Sequence, residues 1–243
     1  MAHRAVTTPD LVSPSVTDYL KTPPPALTTP WRQAGFCVID LELTGLDPSA
    51  DSIVSFAALQ IAGGRLRLSD LRYQLVRPTR MPEAETIRIH GLRGSDLVDA
   101  PALEDVLDDL LEALTGNALV AHVAAIERGF LTAALQTQGL ALSNPVIDTA
   151  GLAAELVRRR VKSIPSPSDL SSLARGLGLP VHRPHHADGD ALTTGQVFLA
   201  LASHLDALEP QTVGSLQRYA NHSRDWSPPQ ALRRLLGRVS REQ

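Results

Sequence analysis

The stretch Gly35-Phe36-Cys37-Val38-Ile39-Asp40-Leu41-Glu42-Leu43-Thr44-Gly45 decides how the rest of the chain is read. Its first half is a short apolar, β-branched run, the pattern of a buried strand. It ends in two acids spaced two apart. Residues i and i+2 of an extended chain face the same side, so Asp40 and Glu42 project together. Carboxylates held side by side raise one another's pKa unless a cation neutralises them, and oxygen ligands suit a hard divalent ion such as Mg²⁺ or Mn²⁺. The alternative is a strand end emerging into solvent with two ordinary surface acids.

Working outward, Ser52 to Ile61 reads as a second strand, Gly63-Gly64 as a hairpin turn and Arg65 to Val76 as a third strand. Pro101 opens a helical pattern with Leu103, Val106, Leu107, Leu110, Leu111 and Leu114 at spacings of three and four, stopped by Gly116-Asn117. Ala118 to Ala121 reads as a short strand, Ala124 to Gln138 as a helix and Pro145 to Ile147 as another strand. Helical segments follow over Asp148 to Arg160, Ser168 to Gly176 and Ala187 to Ala207. A three-strand antiparallel meander followed by alternating helices and strands predicts an α/β fold, a mixed sheet flanked by helices. Residues 1–30, with six of the 18 prolines, read as a flexible leader that sustains neither helix nor central strand. Residues 31–207 are the expected domain, and 208–243 an extension without a core of its own.

Two further segments bear acids. His185-His186-Ala187-Asp188-Gly189-Asp190 runs into a helix, where an acid in the first turn suits the dipole. His122-Val123-Ala124-Ala125-Ile126-Glu127 joins a short strand to a helix; taken singly, His122 reads as a core or loop histidine and Glu127 as a solvated helix acid. Together these residues supply the parts for metal-assisted phosphodiester hydrolysis. Four carboxylates hold two cations, and a histidine takes a proton from water near neutral pH.

Here the chain resembles the DEDDh 3′–5′ exonucleases, which include the proofreading (epsilon) subunit of bacterial DNA polymerase III. Their motif Asp-x-Glu-x-Thr-Gly is met by Asp40, Glu42, Thr44 and Gly45, and His-x-Ala-x-x-Asp by His185, Ala187 and Asp190. Smaller likenesses lie at Ile89-His90-Gly91-Leu92 and Ile147-Asp148-Thr149. The middle motif, His-Asn-x-x-Phe-Asp, departs: Val123 stands for Asn, Ile126 for Phe and Glu127 for Asp. The resemblance covers residues 35–204 and implies a ribonuclease H-like sheet of five strands, the meander plus two parallel strands. It implies two Mg²⁺ or Mn²⁺ ions, with Asp40 bridging both, Glu42 and Asp190 completing the ligands of the first ion and Glu127 supporting the second ion. His185 is the implied general base, with His186 its rival; His186 and His182 otherwise read as surface imidazoles. Thr44, Gly45, Leu46 and His90 are the expected contacts to the terminal nucleotide.

The implied activity is 3′–5′ hydrolysis of terminal phosphodiesters in single-stranded or frayed DNA, releasing nucleoside 5′-monophosphates in repair or proofreading. The alternatives are RNA ends as substrate, or a catalytically reduced end-binding module docking to a polymerase or clamp through a terminus. Composition limits the mode of binding. The 243 residues carry 23 Lys and Arg against 26 Asp and Glu, a net charge of −3, so no basic coat grips a duplex. Only 4% of residues are aromatic, too few for an extended stacking platform. The Arg158-Arg159-Arg160-Val161-Lys162 cluster reads as helix C-terminal cations or as a phosphate track. A lone Cys37 and no apolar run of membrane-spanning length place the chain in the cytoplasm, with no membrane partner.

Overall fold

The computed structural model describes residues 13–161, 164 and 169–220. Its elements are α1 (Pro14–Lys21), β1 (Phe36–Leu43), β2 (Ile53–Ala62), β3 (Arg65–Leu75), α2 (Ala84–His90), α3 (Gly94–Leu97) and α4 (Leu103–Leu114). There follow β4 (Ala118–Ala121), α5 (Ala125–Gln136), β5 (Val146–Asp148), α6 (Thr149–Arg158), α7 (Leu170–Gly176), α8 (Ala187–Leu208) and α9 (Val213–Ala220). The strands form one sheet in the order β3-β2-β1-β4-β5, antiparallel at β3-β2-β1 and parallel at β1-β4-β5. This is the mixed five-stranded sheet that the sequence predicts.

Period-two alternation along β1 divides the core. Phe36 and Val38 pack with Leu152, Leu156, Val197, Phe198 and Leu201 of α6 and α8 on one face. Cys37, Ile39, Leu41 and Leu43 pack with Leu107, Leu110, Phe130 and Leu131 of α4 and α5 on the other. Asp40 and Glu42 continue the first set, on the α8 face. The pairing of β1 with β4 runs over Phe36–Val38, so both acids lie beyond its last rung, at the carboxyl ends of the parallel strands. That crevice is where open α/β sheets take their ligands. α8 sits close against the sheet because Gly195 has no side chain: a Cβ there would stand 2.6 Å from Leu66 Cδ2.

The expectations for the ends of the chain need correction. Within the proline-rich segment, Ser13 caps α1 by accepting the Val16 amide, and Pro14 opens the helix, where its missing N–H costs nothing. Tyr19 is buried against α4 and donates its hydroxyl to Asn144 Oδ1 at 2.8 Å. Pro30 bridges Thr212. Residues 13–30 are therefore built into the fold, and residues 1–12 lie outside the described ones. At the other end, α9 adds Val213, Leu216 and Tyr219 to the main core, so the domain extends past 207. Trp226 and the terminal arginines lie outside the described residues. Of the basic cluster, Arg158 and Arg159 both clasp Glu155, whose side chain is buried, and Arg159 reaches Glu209 as well. Arg159, which also meets the Tyr219 hydroxyl, ties α6 to the C-terminal elements, while Arg158 pairs within α6. Lys162 lies outside the described residues.

Candidate active site

Three carboxylates meet where β1 leaves the sheet. One oxygen each from Asp40, Glu42 and Asp190 lies within 4.8 Å of the other two. Asp40 and Glu42 come from β1, Asp190 from the first turn of α8. Burial is the largest cause of raised pKa at all three. The neighbouring carboxylates push Asp40 further up, well above the carboxylate range, and Glu42 to about 8. Such a set is short of positive charge, and its donors are all hard oxygens, so it fits a divalent cation of the Mg²⁺ or Mn²⁺ type.

Glu127 stands apart from this triad but faces the same cleft. It sits in the first turn of α5, buried, and lines a pocket of about 150 Å³ with Leu41, Glu42, Gly45, Leu46 and His90. It is not the solvated acid that its segment suggests alone. Burial, then Asp148 and Glu42, push its pKa to about 8, and its Oε2 has no hydrogen-bond partner among the described residues. Its charge is felt at Asp40. Glu127 thus borders the same pocket as Glu42 from a second helix N-terminus.

His185 lies exposed in the turn before α8, with φ of 61°. Its backbone N–H donates to Asp190 Oδ2 at 2.8 Å, so the acid that completes the triad also pins the histidine's turn. The charges of His185 and His186 both favour the ionised form of Asp190, against the raising effect of burial. His186 is half-buried and lowers the pKa of His90, and His182 is half-buried with an unmatched Nε2, so neither is a free surface imidazole. His122 is half-buried, and its Nε2 has no hydrogen-bond partner among the described residues. Its Nδ1 meets Thr149 Oγ1 at 2.9 Å, and burial lowers its pKa to about 4.

The expected nucleotide contacts divide. Gly45, Leu46 and His90 line the pocket. His90 is 3% exposed; its Nδ1 accepts the Leu92 amide at 3.0 Å, which leaves the proton of the neutral ring on Nε2, a buried donor without a partner among the described residues. Thr44 is not among the lining residues; its hydroxyl accepts the Ser52 amide and donates to Asp51. Sequence reasoning missed Leu43, Thr86, Ile89 and Ile126, which complete the lining. Thr86 and Ile89 belong to α2, whose signal was present: Gly91 follows Arg88 and His90 and takes the left-handed C-cap with φ of 77°.

Comparison with known proteins agrees with this fold. The exonuclease family model, RNase T, matches residues 37–198. A DNA polymerase III PolC-type protein of Thermotoga maritima is 36% identical over 167 residues, covering 68% of this chain and 12% of that protein. The chain thus spans about an eighth of the length of the PolC-type relative. Exonuclease X, solved with 5′-overhanging duplex DNA, superposes with a TM-score of 0.59 at 23% identity, over 76% of this chain and 99% of that one. Exonuclease I of E. coli, solved with a dT13 oligonucleotide, gives 0.65 at 14% identity, over 72% of this chain and 42% of that one.

Proposed function

Given that this chain belongs to the RNase T exonuclease family, we propose that it is a metal-dependent 3′–5′ exonuclease that removes nucleoside 5′-monophosphates from single-stranded or frayed DNA ends. The observation that carries the reading is the convergence of Asp40, Glu42 and Asp190 at the carboxyl end of β1. These three would hold the first of two Mg²⁺ or Mn²⁺ ions, and Glu127 would support the second. When bound, the ions supply acidification of water and charge neutralisation at the leaving oxygen.

The chain's own residues do the rest. His185 accepts the attacking water's proton on its imidazole, while its backbone N–H, hydrogen-bonded to Asp190 Oδ2, fixes the turn that carries it. Gly45 lets the backbone approach the terminal nucleotide, and Leu46 and Ile89 offer apolar surface to its base. The unmatched His90 Nε2–H gives the nucleotide one hydrogen bond. A pocket this small takes an end and not a duplex, which favours single strands. The PolC-type relative suggests a polymerase or clamp as partner and repair or proofreading as setting. Cys37, buried and free of any disulfide, suits a cytoplasmic site, and no helix among the described residues is long and apolar enough to cross a membrane.

The test is release of mononucleotides from end-labelled single strands with Mg²⁺ or Mn²⁺, with an EDTA control. Asp40→Ala should lower turnover by at least about a hundredfold, since even indirect partners of metal ligands cost 10–100-fold. Its folding should be intact, because the residue serves the cleft and not the core. Parental rates in Asp40→Ala would overturn the assigned centre. Preference for RNA ends would redirect the substrate, and end binding without turnover would mark a binding module.

A further inference from the structure

Resting on that reading, in which Gly45 and Leu46 face the end of the strand, we propose that Asp51 is a positioning residue for the reaction. It clamps the loop between β1 and β2 into the shape that receives the terminal nucleotide. Asp51 is not among the residues lining the pocket and is not one of the clustered acids. It acts through the loop.

One carboxylate ties both ends of that loop. Asp51 Oδ2 accepts the Asp47 amide at 3.0 Å, and Oδ1 accepts the Thr44 hydroxyl at 3.2 Å. Thr44 Oγ1 in turn accepts the Ser52 amide at 2.9 Å. The backbone repeats the closure: Asp51 N–H donates to the Asp47 carbonyl at 2.7 Å, and Thr44 N–H to the Ser52 carbonyl at 2.9 Å. Between these ties sits Gly45, resting on the carboxylate itself. A Cβ at position 45 would lie 2.3, 2.5 and 2.5 Å from the three carboxylate atoms. Gly45 therefore needs to be glycine because the one position a Cβ could take is filled by the Asp51 carboxylate. Glycine is also the residue that loses most freedom when fixed, so the loop needs an external brace to hold its bound shape beforehand. Without that brace the ordering is deferred to each binding event. The loss then falls on KM, because the loop's contacts are shared by ground and transition states.

The experiment is steady-state kinetics of the full chain on a single-stranded oligonucleotide at saturating Mg²⁺ or Mn²⁺. Asp51→Ala should raise KM about tenfold or more with kcat within about threefold of the parent, the signature of lost uniform binding. Asp51→Asn keeps an acceptor for the Asp47 amide and a group able to bond Thr44 Oγ1, so it should bring KM back to within about threefold. Thr44→Val keeps the shape but removes the hydroxyl, and should move KM in the same direction; it decides the matter if Asp51→Ala does not fold. Gly45→Ala should harm the parent more than it harms the Asp51→Ala protein, where the colliding carboxylate is gone. A parental KM in Asp51→Ala, an equal fall in kcat and kcat/KM, or an Asp51→Asn protein as impaired as Asp51→Ala would each overturn the proposal. Should the parent release no mononucleotides, the exonuclease reading itself fails; an active parent indifferent to Asp51 sinks this inference alone.

Discussion

Replacing Glu127 by Gln should make the metal-free protein more stable at alkaline pH while it impairs turnover. Glu127 is 7% exposed and its Oε2 lacks a partner among the described residues. Burial, with Asp148 and Glu42 adding repulsion, raises its pKa from 4.5 to about 8 in the folded chain. A folded-state pKa above the unfolded one means the native protein holds the proton longer. The stability associated with that proton is full below pH 4.5 and is lost progressively as pH rises to about 8. At 1.36 kcal/mol per pKa unit, the loss between about pH 5 and pH 8.5 is on the order of 4 kcal/mol. A domain of this size shifts its Tm by about 2–4 °C per kcal/mol, so the change is on the order of 10 °C.

The assay is thermal melting followed by circular dichroism in EDTA, parent against Glu127→Gln, across that pH range. Near pH 5 the two should melt together, because the parent's Glu127 is protonated and Gln mimics it. Near pH 8.5 the variant should melt about 10 °C higher, since the repulsion among Asp40, Glu42 and Asp190 remains in both proteins and cancels. Excess Mg²⁺ should recover much of the parent's loss, as a cation that binds the native site stabilises it by mass action. Parallel pH curves for the two proteins would refute the claim that Glu127 is a buried acid held without a counter-charge.

Two other outcomes follow from the fold. Val123 has φ of 61°, where a β-branched side chain is strained by roughly 1–2 kcal/mol, so Val123→Asn or Val123→Gly should raise the Tm by a few degrees in calorimetry. Tyr19→Ala should cost about 3–5 kcal/mol in urea unfolding, from lost burial and the lost bond to Asn144, and an unchanged midpoint would show that α1 is not part of the folded unit.

Much of the fold was legible because its strands announce themselves twice, by apolar runs and by punctuation. Gly63-Gly64 turns with φ of 60° and 68°, and β1 alternates between two helical layers as its spacing requires. The boundaries moved by one to three residues, as expected where termini fray. The N-terminal end was misread for a physical reason. Proline density argues against the interior of a helix, but Pro14 stands at its first position, and the Tyr19 anchor that holds α1 is a contact to Asn144, 125 residues away. No local pattern reports a partner so distant. α2 was missed although Gly91 marks its end, because seven residues are too few to show a helical period.

The acids were legible by spacing, yet what their environment does to them was not. Glu127 looked solvated because polarity in a first turn is ordinary; in the fold it is buried and shares its pocket with Leu41, Leu46 and Ile126. The departures at 123 and 127 also acquire a physical relation. The backbone at 123 must turn left-handed so that its amide can donate to Asp148 Oδ1 at 3.0 Å, while the same carboxylate oxygen accepts the Ala150 amide at 2.9 Å and caps α6. Asn tolerates that conformation far better than Val, which accounts for the residue the DEDDh pattern places there. Here Val123 adopts it nonetheless, so the Asp148 bond must outweigh the strain. The turn that delivers α5 to the cleft is therefore kept in spite of its residue. What changes is four positions on, where the acid gains one methylene and the charge still arrives.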